Sequence, residues 1–163
     1  YELQVGLGLL LILNIGAIIG LIIAGQVANR IGVRPAAFTW FAAAAVLLAL
    51  LSIKMPSVPL YAAVLVTGMF VFSAQVLIYA FVGQVYPARS RATGLGWTAG
   101  VGRLGAIVGP IVIGALLAGE RGYPWGFYVF AGVAGLAVVT VLIVGHPRDV
   151  VDEEIAEHRT IAH

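Results

Sequence analysis

Five long runs of apolar residues, separated by short polar connections, make up most of this chain. The runs fall at 5–27, 36–53, 60–85, 92–119 and 125–145, and the connections at 28–35, 54–59, 86–91 and 120–124. Within each run apolar side chains recur on every face. This is neither the alternation of a half-buried strand nor the single stripe of a water-facing helix. About 20 such residues are needed to cross a hydrocarbon core. Lipid offers no partner for backbone N–H and C=O groups, so these runs must be helices; a β-barrel would show short alternating segments instead. The pattern predicts an all-α membrane protein, with a bundle of five transmembrane helices over 1–145 and a polar tail over 146–163.

Composition agrees. The chain is 61% hydrophobic and 10% charged, where a soluble domain of this size carries about 25% charged residues. Nine Lys/Arg against seven Asp/Glu are too few and too scattered for a nucleic-acid surface. The absence of cysteine excludes disulfides and thiolate metal sites. All three histidines (His146, His158, His163) lie in the tail, which reads as a solvated end without a metal site. No cofactor, metal or catalytic residue is predicted, and the chain is not read as an enzyme. It opens with Tyr1, and its first run is too long for a signal-peptide core and lacks a basic start. That run is therefore read as a span, and the chain as part of a longer protein.

The connections set an orientation. Arg30 and Arg34 lie in the first and Arg89 and Arg91 in the third, while the second carries only Lys54 and the fourth one charge of each sign. By the positive-inside rule the first and third face the cytoplasm. The N-terminus is then outside and the tail cytoplasmic, as five spans require. The richness in alanine, valine and arginine points to a bacterial inner membrane.

One charge breaks the pattern. Arg103 lies inside the fourth run, twelve residues after Arg91, which is roughly 18 Å along a helix and near mid-bilayer. An ionised side chain there costs roughly 3 kcal/mol or more and belongs in a protein interior or a watery path. Its planar fork suits a carboxylate, so Arg103 is the leading candidate for contact with a substrate anion. The alternative is a structural arginine bonded to backbone carbonyls or to an acid elsewhere. Gln75 and Tyr79 are spaced i and i+4 on one face of the third span, extended by Phe72 and Val82. They fit a ring-bearing ligand with a hydroxyl or carboxylate, or equally a hydrogen bond between helices. Trp97 is either an interfacial anchor or a pocket wall. Gly100-Val-Gly-Arg-Leu-Gly105 matches the dinucleotide fingerprint, but inside a membrane helix its glycines read as packing notches. No Asp, Glu or His lies in any of the five runs, so a proton-coupling site either lies outside this chain or does not exist.

The first and fourth runs echo each other. The stretch from Asn14 to Gly25 aligns with that from Arg103 to Gly114 at an offset of 89, with six of twelve positions identical. The two cross the membrane in opposite directions, as in the inverted repeats of secondary transporters. Chance matching of Gly/Ala/Ile helices is the plain alternative, since close packing selects small residues at four-residue spacing. The echo pairs Asn14 with Arg103, marks Gly16, Gly20, Gly105 and Gly109 as packing glycines, and implies a repeat unit that starts one helix earlier.

The first connection, Gly25-Gln-Val-Ala-Asn-Arg-Ile-Gly-Val-Arg34, resembles the G-x-x-x-D-R-x-G-R-R motif of the major facilitator superfamily, in the copy between helices eight and nine. It keeps Gly25, Arg30, Gly32 and Arg34. Asn29 replaces the usual Asp and removes the negative charge of a relay or gating pair. The stretch Tyr86-Pro-Ala-Arg-Ser-Arg-Ala-Thr-Gly94, continuing to Gly102-Arg-Leu-Gly-Ala-Ile-Val-Gly-Pro110, is similar to the tenth-to-eleventh helix region of the aromatic acid:proton symporter family, with kinship to sugar and organic-ion transporters. Ser73-Ala-Gln75 resembles a small-Ala-Gln element of that family's tenth helix. The resemblance implies helices eight to twelve of a twelve-helix transporter importing an aromatic or other organic carboxylate with a proton. The mechanism would be alternating access of two halves. The partners implied are the anion, protons, the bilayer and the missing N-terminal helices. A basic residue near Arg103 is common in organic-anion relatives, and Arg30, Arg34, Arg89 and Arg91 would brace the cytoplasmic face against the other half. Two other readings remain: a facilitator of a sugar or drug with Arg103 structural, or a five-helix interaction module that does not transport.

Overall fold

The computed structural model describes the backbone of residues 2–119 and 125–144, with side chains from Val5 onward. The connection at 120–124 and the tail at 146–163, with its histidines, lie outside the described residues. The described chain forms α1 (Glu2–Ile31), α2 (Val33–Leu50), α3 (Ser57–Val85), α4 (Arg91–Ala118) and α5 (Trp125–Ile143). All five are long and apolar enough to cross a membrane.

The first polar connection is much shorter than its composition suggests, and the second is displaced toward the N-terminus. Helical hydrogen bonding continues through polar residues at a membrane surface, so α1 runs on past Arg30, and α2 begins one residue before Arg34. Only Gly32 separates the two helices. Its φ of 94° is a left-handed conformation that glycine adopts without Cβ strain. Pro35 follows in the first turn of α2, where a missing N–H costs nothing. Similarly α3 starts at Ser57, before the expected 60, and accommodates Pro59 in its first turn. It stops at Tyr86, whose extended backbone precedes Pro87. The second span lies three residues earlier than expected and gives way at Leu50 to a turn. There the Ser52 hydroxyl donates to the Ala49 carbonyl at 2.6 Å.

α1 lies along α3 at backbone distance. A Cβ on Gly16 would meet the carbonyl of Leu65 and come within 3.2 Å of the Met69 nitrogen; one on Gly20 would meet the backbone of Met69; one on Gly68 would meet that of Leu13. Three glycines from two helices thus let the main chains touch, which is how membrane helices gain packing without a hydrophobic driving force. α2 packs against both α3 and α5. Ala24, Ala36, Ala37, Trp40, Ala74, Leu77 and Val141 form the buried core of these four helices. In α4, by contrast, Gly94 is the only buried residue described.

Candidate substrate-binding site

α4 carries the intramembrane cation. Its first turn is fixed by the loop before it: the Ser90 and Arg91 amides both donate to the Pro87 carbonyl at 3.0 Å. The Tyr86 ring lies against Gly94, where an added Cβ would sit 3.0 Å from ring carbons. The spacing from Tyr86 to Gly94 is therefore a packing device, an aromatic ring seated on a helix turn with no side chain beneath it. Further along, α4 meets α5 where a Cβ added at Gly109 would sit 3.8 Å from the Phe130 ring and one added at Gly126 would sit 3.0 Å from the Ile113 side chain.

Between these contacts Arg103 points away from the described bundle. It is exposed, and it makes no hydrogen bond or ion pair with another described residue. The structural alternative, an arginine held by backbone carbonyls, is not realised among the described residues. Gly96, Gly100 and Ile107 share its face at helical spacing and are exposed as well. Trp97, 72% exposed, borders the same open side, with Gly96, Gly100 and Leu104 lining a shallow groove beside it.

The other candidates lie on different helices. Asn14 is exposed, on the side of α1 opposite Gly16 and Gly20, and its amide donates back to the Leu10 carbonyl at 2.7 Å. Gln75 is exposed and Tyr79 half-buried on α3, and neither side chain is bonded to a described residue. Asn14, Gln75, Tyr79 and Arg103 thus keep polar groups available on three helices. A cavity of about 740 Å³ between α1, α2, α3 and α5 includes none of these four residues. Its one hydroxyl, on Thr67, is already given to the Ala63 carbonyl at 2.7 Å. It offers a carboxylate nothing.

Of the loop residues, Gly25, Asn29, Arg30, Arg89 and Arg91 are exposed. Arg34 is differently placed. Its Nη2 donates to the Leu142 carbonyl at 2.9 Å and its Nε, more weakly, to that of Val141 at 3.4 Å. Both carbonyls belong to the last turn of α5, which has no intrahelical donors for them. The brace expected against another half of the protein is here, for Arg34, a bond within this bundle. At Gly105, expected as a packing glycine, an added Cβ would meet nothing within 4 Å among the described residues. One buried pair escaped sequence reasoning: the Trp40 indole N–H donates to the Ser73 hydroxyl at 2.8 Å, and that hydroxyl donates to the Met69 carbonyl. Ser73 carried only a motif resemblance and Trp40 no polar signal.

Residues 2–161 match the family model described as Major Facilitator Superfamily. The chain belongs to that superfamily. It is 35% identical over 148 residues to the benzoate transport protein of Acinetobacter baylyi, covering 91% of this chain and 32% of that protein. It is 34% identical over 143 residues to the gentisate transporter of Corynebacterium glutamicum, covering 88% and 32%. Against the gallate transporter of Pseudomonas putida it is 32% identical over 136 residues, covering 83% and 30%. The chain spans about a third of the length of these relatives. It is a multi-pass membrane protein of the major facilitator superfamily, related to transporters of aromatic acids.

Proposed function

We propose that the intact protein is a secondary transporter, not an enzyme, that carries an aromatic carboxylate across a bacterial inner membrane by alternating access, coupled to protons. Arg103 contacts the carboxylate, and Gln75, Tyr79, Asn14 and Trp97 line the route beside it. The N-terminus of this chain is outside and its tail cytoplasmic. The coupling proton binds a residue outside these 163, since no acid or histidine lies in the predicted spans. Gly25, Asn29, Arg30, Gly32, Arg34, Arg89 and Arg91 shape the cytoplasmic face that opens and closes.

The observation that carries this reading is Arg103 itself. It is a charged fork at the middle of a membrane helix, exposed and with no bond to a described residue. Such a cation needs an anion or water, and the relatives are named for benzoate, gentisate and gallate. The test is uptake of labelled benzoate by membrane vesicles containing the full-length protein. A charged hydrogen bond is worth about 1.5–3 kcal/mol, so Arg103→Ala should lower uptake about 10- to 100-fold at unchanged protein level. Arg103→Lys should recover only part, because lysine keeps the charge and loses the fork. Unchanged benzoate uptake in Arg103→Ala would rule out the anion site. Inhibition by hexoses instead of benzoates would favour a different substrate with Arg103 structural.

A further inference from the structure

A second cavity, of about 420 Å³, lies between α2, α3, α4 and α5 at the end of the bundle that carries the arginine connections. Two helix stripes wall it, from Ile78 to Val85 on α3 and from Ala137 to Val144 on α5, each with lining residues at i, i+3, i+4 and i+7. Phe41 of α2 and Thr98 of α4 complete the walls, and Tyr86 borders the cavity where α3 ends. Both threonine hydroxyls in the lining are already given away: Thr98 donates to the Gly94 carbonyl and Thr140 to that of Leu136, each at 2.9 Å. Apart from Tyr86 at the border, the rest of the lining is hydrocarbon. The α3 stripe runs roughly 10 Å along its helix, against about 15 Å of hydrocarbon in one leaflet.

Positive charge gathers at the mouth of this slot. Arg34 stands seven residues before Phe41 on α2, and Arg91 seven before Thr98 on α4. Each arginine therefore lies two turns from a lining residue on the same helix face, toward the connections. The Arg34 guanidinium is held by the carbonyls of Val141 and Leu142, and Val141 itself lines the cavity. Those carbonyls are neutral and leave its charge in place. Arg91 is exposed. Apart from Glu2, at the far end of α1, no Asp or Glu occurs among the described residues. The described bundle thus presents an apolar slot with two cations at its mouth and no carboxylate at that end.

We propose that this cavity holds one acyl chain of an anionic glycerophospholipid, with the lipid phosphate between Arg34 and Arg91. The lipid comes from the leaflet at that end of the bundle, whichever side of the membrane it faces. Apolar walls suit the chain, and a basic pocket between membrane helices suits the headgroup. A soluble anion would gain nothing from the walls, and an uncharged lipid nothing from the arginines. The site is separate from Arg103, which lies five residues beyond Thr98 and so about 140° around α4. It is independent of what the protein carries.

Native mass spectrometry of the purified full-length protein tests the proposal. The protein is incubated with phosphatidylglycerol or with phosphatidylcholine of the same chain length. One phosphatidylglycerol is expected to stay bound at concentrations where phosphatidylcholine is lost. Arg91→Gln should weaken its binding about fivefold. Arg30→Gln should leave it unchanged, since α1 contributes nothing to the cavity. Ala137→Phe, which fills the slot, should abolish the preference for phosphatidylglycerol. Should that variant fold poorly, chain length replaces it: dihexanoyl-phosphatidylglycerol should bind the unaltered protein at least about tenfold more weakly than the dipalmitoyl lipid, because fewer methylenes are buried. Equal retention of the two headgroups overturns the proposal, as do equal losses in Arg91→Gln and Arg30→Gln. Displacement of the lipid by inorganic phosphate, or binding indifferent to both chain length and Ala137→Phe, would reduce the site to a surface anion contact and overturns it as well.

Discussion

Ser73 is fully buried between α2 and α3, and its hydroxyl takes the Trp40 indole proton while giving its own to Met69. The Trp40 ring is tilted 52° onto Phe70 at a centroid distance of 5.3 Å, so two contacts fix how α2 sits on α3. Hydrogen bonds between membrane helices are worth ~0.6 kcal/mol on average and up to ~1.7. Complete burial puts this one toward the upper end, because an indole N–H left unpaired has no water to turn to. Ser73→Ala is expected to destabilise the protein by about 1–2 kcal/mol. The same change in a Trp40→Phe background should cost much less, since no donor is then stranded. Thermal unfolding of the four proteins in detergent measures the coupling; strictly additive effects would mean the bond adds nothing to stability. None of this was legible in the sequence. A serine and a tryptophan 33 positions apart become partners only when two helices meet at that level, and local spacing carries no such information. Arg103 was legible, because a charge in an apolar run violates the lipid's demand whatever the neighbours are.

At the scale of the element, Arg34 sits in the first turn of α2, where a cation opposes the helix dipole. It reaches across to the last turn of α5, where a cation is favoured and carbonyls lack donors. The favourable end wins: one guanidinium ties the α1–α2 turn to the end of α5. The contribution is about 1 kcal/mol for a partly buried pair of this kind. Arg34→Gln should loosen the last turn of α5, seen as hydrogen exchange at the Val141 to Val144 amides about fivefold faster. Arg30→Gln, at an exposed position, should change nothing there. Equal effects from both substitutions would show that general charge, not this bond, holds the turn. The helix ends show the limit of reading elements from polarity. Arginines at 30 and 34 marked a loop over 28–35, yet the backbone breaks only at Gly32. Polarity reports where a helix leaves the lipid, and backbone conformation reports where it stops.

For the whole molecule, burial against lipid is a property of composition, and so five spans could be read directly. Which spans touch is a property of shape, and there the four-residue spacing of Gly16 and Gly20 gave the one usable sign. α1, α2, α3 and α5 share a core, while α4 carries Arg103 on an open face and buries only Gly94. A route for a carboxylate needs walls on both sides of that arginine to keep lipid out and to close alternately. The described helices supply one side. An arginine facing lipid costs roughly 3 kcal/mol or more, which these 163 residues alone meet only by admitting water or by associating. Reconstituted by themselves into vesicles, they are expected to insert with the Arg89 loop on the side of the C-terminal tail and to show no benzoate uptake above empty vesicles. They should run as associated species in detergent. Concentrative, saturable benzoate uptake by the isolated chain would show that the route is complete within it, and would move the partner of Arg103 from the rest of the protein to these five helices or to a second copy of them.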